Sequence, residues 1–238
     1  MRIFVIADVH ANLPALQVAL TDIKKGGGDA IFHIGDAIDI GPFSAECLDM
    51  LLSTPNMHFV MGNHDAWFAH GLPEPRPAWL GEGEEQHYRW THTNIPAHFK
   101  SIVAQWPYSL ERELEDVHTT FVHYGLKPCG EDFVDIIKQP SPQELDNLFR
   151  QHRSELVFYG HHHVFSDMQG QARYINPGSL GCSETAVARY AVVDFEHGKF
   201  VVQHRSVAYD DTELYRAFEQ RKVPEREFIY RAFFGNRF

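Results

Sequence analysis

The first sixty residues alternate short apolar runs with segments of helical periodicity, and no other feature of the chain constrains the fold as strongly. Residues 2–7 are apolar after Arg2, which is typical of a strand buried on both faces. A helix is predicted next, with Asn12 as its N-cap and Pro14 in its first turn. A second strand at 29–34, a helix at 44–52 and a third strand at 57–61 repeat the order, and the third strand is expected to end in a loop at Gly62-Asn63-His64-Asp65. This alternation predicts an α/β fold with a largely parallel core.

The rest of the chain predicts one domain, residues 1–238, with a helical insertion at about 66–107. The insertion is rich in Pro, Gly, Trp and His and contains two short helical patterns, so we interpret it as a cap beside a site. Beyond it, we expect a helix at 142–152 and two short amphipathic helices in the tail, broken near Pro224. Strand patterns return at 108–114, 117–123, 156–159, 172–175, 188–195 and 199–205.

Composition and charge narrow the class of protein. A chain of 238 residues with 44% apolar residues can bury a substantial core. The formal net charge of −11 argues against stable nucleic-acid binding and against an anionic membrane as a partner. It does not argue against a small phosphorylated substrate, because bound metal ions can supply positive charge locally.

The three cysteines, Cys47, Cys129 and Cys182, are far apart and form no Cys-x-x-Cys pair. Such usage is typical of buried or free thiols in a reducing compartment. No apolar run approaches the ~18 residues that span a bilayer, and the first residues show no signal-peptide pattern. We therefore expect a cytoplasmic protein without a membrane partner.

Polar side chains follow each of the predicted strands that lead into the candidate site. Asp8 and His10 come directly after the first strand, two residues apart, so on extended backbone both would leave the same face. Ligand sites in open α/β sheets gather outside the carboxyl ends of the strands, so these groups should converge. The candidate metal ligands are Asp8, His10, Asp36, Asn63, His123, His161 and His163.

These seven groups are carboxylates, imidazoles and one amide oxygen, with no thiolate. That set favours Mn²⁺, Fe or Zn²⁺ over Ca²⁺ or an iron–sulfur cluster. Seven ligands exceed what one ion needs, whereas two ions ~3.5–4 Å apart that share a carboxylate would use them all. Taken singly, each motif has a structural alternative: a core histidine at His123, a polar loop at His161 and His163, and an ion pair between His64 and Asp65.

The sequence motifs at these positions are Asp8-x-His10, Gly35-Asp36-x-x-Asp39-x-Gly41-Pro42, Gly62-Asn63-His64-Asp65, His123 and Gly160-His161-x-His163. Together these motifs resemble the calcineurin-like metallophosphoesterase superfamily. The stretch 176–181 extends the resemblance toward the bacterial and archaeal branch of small phosphodiesterases, and the tail at about 209–234 is similar in layout to asymmetric dinucleoside tetraphosphate hydrolases.

The resemblance implies a four-layer α-β-β-α sandwich of two mixed sheets with a helical insertion. It also implies two divalent or trivalent metal ions, expected as Mn, with Fe, Zn and Ni as alternatives. Asp36 would bridge the ions, His64 would be the acid beside the phosphate, Asp39 would orient His64, and Asp65 has no firm role. The first ion would bind Asp8, His10, Asp36 and His163, and the second Asp36, Asn63, His123 and His161.

The expected activity is hydrolysis of small phosphodiesters or nucleotides, and a dinucleoside polyphosphate is the sharper candidate. Two cations would lower the pKa of a bridging water, and the resulting hydroxide would attack phosphorus while His64 protonates the leaving oxygen. A protein Ser/Thr phosphatase is the alternative, although Ile40 stands where that branch has arginine. A non-catalytic scaffold should have lost ligands that this chain keeps. Association between copies of the chain stays open.

The insertion carries aromatic residues and histidines that can be read in two ways. The aromatic rings could stack a nucleobase or pack a small core of their own. The histidines could be spare metal ligands, but we expect them to be exposed residues on helices. The aromatic residues are Trp67, Trp79, Tyr88, Trp90, Phe99 and Trp106, and the histidines are His70, His87, His92 and His98.

Overall fold

The structure is a computed structural model that describes residues 1–74, 80–128, 130 and 132–237, so Trp79 and Cys129 lie outside the described residues. The strands are β1 (Arg2–Ile6), β2 (Ala30–His33), β3 (Met57–Phe59), β4 (Ser109–Leu114), β5 (Val117–Val122), β6 (Leu156–Phe158), β7 (Phe165–Gln169), β8 (Arg173–Pro177), β9 (Val187–Glu196) and β10 (Lys199–Ala208). The helices are α1 (Leu13–Gly26), α2 (Ser44–Leu52), α3 (Asn63–His70), α4 (Glu82–Asn94), α5 (His98–Val103), α6 (Pro142–Leu148), α7 (Thr212–Gln220) and α8 (Arg226–Phe233).

The strands form two mixed sheets of five strands each. The first has the order β10-β9-β1-β2-β3, in which β1, β2 and β3 run parallel and β9 pairs antiparallel with both neighbours. The second has the order β4-β5-β6-β8-β7, in which β5, β6 and β8 run parallel and both edge strands are antiparallel. The parallel centre of each sheet brings several strand ends to one edge.

Successive side chains of a strand point to opposite faces of the sheet, and this divides the hydrophobic core into layers. In β1, Ile3 and Val5 enter the cluster between the sheets, where the rings of Phe32 and Phe121 stack with centroids 3.9 Å apart. Phe4 of β1 points the other way, into the cluster under α1 and α2. A third cluster lies on the other face of the second sheet, against α6. The predicted helix–sheet–sheet–helix sandwich is therefore confirmed.

Local signals account for most of the elements. The Asn12 side chain caps α1 by accepting from the Ala15 N–H at 3.2 Å, as predicted, and α2 has the predicted bounds. Two elements were not predicted. The polar edge strand β7 has too few apolar residues for a strand pattern, and α3 begins at Asn63, where a loop was expected.

The predicted insertion at 66–107 contains most of α3 together with α4 and α5, and α3 packs against α5. The tail forms two helices on either side of Pro224, as predicted. Among the described residues, no helix combines the length and apolar character that crossing a bilayer requires.

Candidate metal centre

The seven predicted ligands meet at one edge of the two sheets, in the loops after β1, β2, β5 and β6 and in the first turn of α3. The backbone of these loops is unusual, because non-glycine residues adopt left-handed conformations with φ between 45° and 69°. Asp8 and His10 are among them, so the expectation of extended backbone between these two residues was wrong. Such conformations cost free energy and cluster at functional sites. The residues concerned include Asp8, His10, Asp36, Asp39, His161 and His163.

One half of the site is a cluster of acceptor atoms around His123. Its Nδ1 lies 3.0 Å from the Ile34 carbonyl oxygen, which can only accept, so Nδ1 donates and a neutral ring has its lone pair on Nε2. That Nε2 lies 3.2 Å from Asp36 Oδ2 and 3.1 Å from Asn63 Oδ1. A proton on Nε2 can bond the two oxygens, and in its place a cation can bind all three atoms, so the residues fit a cation.

The other half is built around His10, which is fully buried. Its Nδ1 lies 3.3 Å from the Ile38 carbonyl oxygen, which directs Nε2 into the site. Nε2 lies 2.9 Å from His163 Nε2 and 3.9 Å from Asp8 Oδ1. Histidines that bind metals usually donate their second N–H to a carbonyl or a carboxylate. Both His10 and His123 make such a bond.

Asp36 lies between the two halves. Its Oδ2 is 3.8 Å from His10 Nε2 and 3.2 Å from His123 Nε2. His161 joins the second half, since one ligand atom each from Asp36, His123 and His161 lie within 4.8 Å of one another. The His161 backbone N–H also donates to the Asp8 carboxylate at 3.1 Å. This position is compatible with the bridging role implied for Asp36, which stays a prediction.

Electrostatics favour a cation in the same place. Burial lowers the pKa of His123, but the charge of Asp36 outweighs this effect and raises that pKa to about 9. Burial would raise the pKa of Asp36, yet the surrounding imidazoles hold it well below its usual value. Burial also lowers the pKa of the three remaining histidines among the predicted ligands, which are therefore neutral and offer lone pairs to a metal. These are His10, His161 and His163.

His64 stands beside the cluster as the prediction requires. Its Nδ1 lies 3.3 Å from Asp39 Oδ2, and its Nε2 lies 4.0 Å from Asp36 Oδ2. Burial lowers the pKa of His64, but these two carboxylates outweigh it, so the pKa is raised. A second imidazole reaches Asp39 from α4, because His92 Nε2 lies 3.7 Å from the same Oδ2. Among the described residues, neither Asp39 Oδ1 nor His92 Nε2 has a hydrogen-bond partner.

Asp65 was left without a role, and the structure supplies one. Its carboxylate accepts from the backbone N–H groups of Asp36 at 2.7 Å, Ala37 at 3.0 Å and Gly62 at 3.0 Å. The bond to Gly62 also caps the first turn of α3, which explains why a helix begins at the expected loop. Asp65 thus ties the α3 N-terminus to the loop that carries Asp36.

Cys182 is a site neighbour that the sequence did not indicate. One ligand atom each from His10, His163 and Cys182 lie within 4.8 Å of one another. The thiol is buried, and it follows a turn in which Ser179 Oγ donates to the Asp8 carbonyl oxygen at 2.7 Å. Cys182 is thus a neighbour of the predicted ligands that comes from a distant part of the sequence, and the ligand set without a thiolate stays a prediction.

Two histidines of the insertion are not the exposed helix residues that were expected. His87 is buried, and its Nε2 accepts from the Ile40 backbone N–H at 3.0 Å while Nδ1 donates to the Pro224 carbonyl oxygen at 3.2 Å. His92 contacts Asp39, as described above, whereas His70 and His98 are exposed. The insertion is therefore linked both to the site and to the tail.

The aromatic residues of the insertion divide into two groups. Phe99 and Trp106 are buried in the cluster under the first sheet rather than in a separate core, and Trp90 packs against that cluster. Tyr88 is also buried. Trp67 is partly exposed, and its ring centroid lies 4.9 Å from that of His64 and 5.1 Å from that of Tyr88. Across the site, the Phe233 ring of α8 lies 6.0 Å from the ring of His163. Aromatic side chains thus flank the site on two sides.

Comparison with known proteins agrees with this geometry. A family model described as the calcineurin-like phosphoesterase superfamily domain matches residues 1–198. The uncharacterized protein MJ0912 of Methanocaldococcus jannaschii is 26% identical over 247 residues, covering 94% of each chain.

Two solved structures share the fold over nearly the whole chain. One is the hypothetical protein PH1004 from Pyrococcus horikoshii OT3, with a TM-score of 0.80, 20% identity and 98% of each chain covered. The other is a metallophosphoesterase from Sphaerobacter thermophilus, with a TM-score of 0.73, 24% identity and 97% of each chain covered. At these identities the two structures support the fold alone.

Proposed function

The chain belongs to the calcineurin-like phosphoesterase superfamily, and we propose that it hydrolyses small phosphodiesters or nucleotides with two bound metal ions. Membership of the family implies metal-dependent hydrolysis of phosphoesters. Within that activity, a dinucleoside polyphosphate is the sharper candidate substrate. Mn is the expected metal, with Fe, Zn and Ni as alternatives, and the expected location is the cytoplasm.

The observation that carries the proposal is that ligand atoms of Asp36, Asn63 and His123 meet at one place. Asp36 Oδ2 lies 3.2 Å from His123 Nε2, and Asn63 Oδ1 lies 3.1 Å from the same nitrogen. We assign the second ion to Asp36, Asn63, His123 and His161. We assign the first ion to Asp8, His10, Asp36 and His163.

Bound there, the ions would supply positive charge for the phosphoryl oxygens and a water of lowered pKa. The chain itself supplies the proton for the leaving oxygen. His64 is only 13% exposed and lies between two carboxylates, so it holds a proton more firmly than an isolated histidine. Asp39 accepts from Nδ1 and thereby directs Nε2 toward the cluster. This geometry suits an acid that protonates poor leaving groups.

A nucleotide-like substrate is supported by the ring that adjoins this acid. Trp67 is partly exposed beside His64, and base stacking on an aromatic side chain is worth about 1–3 kcal/mol. The net charge of −11 disfavours a long nucleic acid, so a small substrate is the better match.

The test is hydrolysis of bis-p-nitrophenyl phosphate by chelator-treated protein before and after Mn²⁺ is added. We expect release of p-nitrophenol only with the metal and loss of release when chelator is added again. A panel of nucleotides, cyclic nucleotides, dinucleoside polyphosphates and phosphopeptides then sorts the substrates. Preference for phosphopeptides would indicate a protein phosphatase, and no metal-dependent hydrolysis of any compound would indicate a scaffold.

A further inference from the structure

Cys182 lies at the first metal position with its thiol toward two of the assigned ligands. Its Sγ, one ring nitrogen of His10 and one ring nitrogen of His163 all lie within 4.8 Å of one another. We propose that Cys182 is a further ligand of the first ion, bound through its sulfur. This inference rests on the metal centre of the proposed function and adds a ligand of a different chemical class.

The loop that carries Cys182 is fixed against the loop that carries Asp8. Ser179 Oγ accepts from the Cys182 N–H at 2.7 Å and donates to the Asp8 carbonyl oxygen at 2.7 Å. The Gly181 N–H donates to the same Asp8 carbonyl oxygen at 3.0 Å, and the Gly181 carbonyl oxygen accepts from Asn12 Nδ2 at 2.7 Å. The position of the thiol is therefore set by hydrogen bonds to the metal-site backbone.

The positions of the His10 and His163 imidazoles allow them to bind one ion together with the Cys182 sulfur. His10 Nδ1 faces the Ile38 carbonyl oxygen, so the lone pair of the neutral ring is on Nε2, which lies 2.9 Å from His163 Nε2. In a tetrahedral site, bonds of about 2.1 Å to nitrogen and 2.3 Å to sulfur place two ligand atoms about 3.6 Å apart. A separation of no more than 4.8 Å therefore requires the ligand atoms to approach by about 1 Å at most.

Coordination by Cys182 has consequences that a merely buried cysteine lacks. The S–H bond breaks as the metal–sulfur bond forms, and the proton passes to solvent. A thiolate is a soft ligand, so the first position would bind Zn²⁺, Co²⁺ or Fe²⁺ in preference to Mn²⁺. The two metal positions would then differ, because no cysteine is among the assigned ligands of the second ion.

The test is optical and does not depend on turnover. Chelator-treated protein is titrated with Co²⁺, and a sulfur-to-cobalt charge-transfer band is sought in the near ultraviolet. We expect the band in the natural protein and in the double variant Cys47→Ala/Cys129→Ser, in which Cys182 is the sole thiol. We expect it to be absent from Cys182→Ser, whose Zn²⁺ affinity at the first position should fall by about 10- to 100-fold.

Each result of the cobalt titration either supports or overturns Cys182 as a metal ligand. Cobalt that binds with only visible ligand-field bands overturns the sulfur ligand and leaves the proposed function standing. A band that persists in Cys182→Ser also overturns it. Natural protein that binds no cobalt overturns both proposals. If Cys182→Ser does not fold, the double variant still decides, since its band can arise from no other cysteine.

Discussion

The two sides of the candidate site are built differently. On one side, loops after the strands place ligands through backbone hydrogen bonds and left-handed φ angles, as the bonds from His10 to Ile38 and from His123 to Ile34 show. On the other side, α4 and α8 reach the site through side chains, with His92 of α4 at 3.7 Å from Asp39 and Phe233 of α8 at 6.0 Å from His163.

The two ways of placing side chains have different consequences for the site. Backbone hydrogen bonds in a buried loop fix atoms within narrow limits, which a metal centre requires. Side-chain contacts from a helix can change without moving the metal ligands. We therefore expect changes on the loop side to abolish metal binding and turnover, and changes on the helix side to alter how turnover depends on the substrate.

The largest effect is expected for Asp36→Ala on the loop side. Asp36 is the carboxylate between His10 and His123, and without it both assigned ions lose a ligand and the cluster loses its central negative charge. We expect both ions to be absent and turnover to fall to the uncatalysed rate. Metal analysis of the purified variant checks this, with the exposed Asp135→Ala as the matched control. One ion still bound at full occupancy would contradict a bridging Asp36.

The second effect is expected for His64→Ala, at the junction of the two sides. The variant keeps all seven assigned ligands, so both metals should remain bound. Turnover of phosphomonoesters and of diesters with poor leaving groups should fall by about 10²–10⁴-fold, the usual range for losing an acid or base. Diesters that release p-nitrophenol need little protonation and should be affected much less.

Rates measured across a series of leaving groups check the role of His64. His70→Ala, an exposed histidine of the same helix, is the control and should leave the series unchanged. Near-normal turnover of poor-leaving-group substrates by His64→Ala would remove His64 from the mechanism.

The loop side was predictable from the sequence because its signal is local. Asp8, Asp36 and His161 each come directly after an apolar run, and strand ends of a parallel sheet share an edge, so their convergence followed from the pattern alone. The left-handed backbone of these residues was not predictable, since nothing in an Asp or a His signals a positive φ. The alternation of strands and helices predicts only an α/β fold with a largely parallel core, and the sandwich of two sheets was implied by the family resemblance of the motifs.

The helix side was not predictable because its contacts join residues that are distant along the chain. No sequence motif separates His92 and His87 from the exposed His98, yet His92 reaches Asp39 and His87 joins Ile40 to Pro224. The position of Cys182 beside the site was not predictable for the same reason. Only the packing of α4 and of the turn after β8 against the loops reveals which of these residues meet the site.

The smallest effect is expected for His92→Ala on the helix side. His92 Nε2 lies 3.7 Å from Asp39 Oδ2, the oxygen that also faces His64, and both His92 Nε2 and Asp39 Oδ1 are buried without a hydrogen-bond partner among the described residues. Loss of a contact worth ~1 kcal/mol corresponds to about fivefold in rate. Because His92 reaches the substrate only through Asp39 and His64, this loss should appear with poor leaving groups and vanish with p-nitrophenol.

The leaving-group series compared among natural protein, His92→Ala and His92→Gln measures this effect, with the exposed His98→Ala as the control. His92→Gln should recover part of the rate, since its amide can donate to Asp39. A uniform loss across all leaving groups would mean that His92 only supports the packing of α4. Loss of metal from His92→Ala would mean that the two sides of the site are not separable, because a helix side chain would then be holding the loops in place.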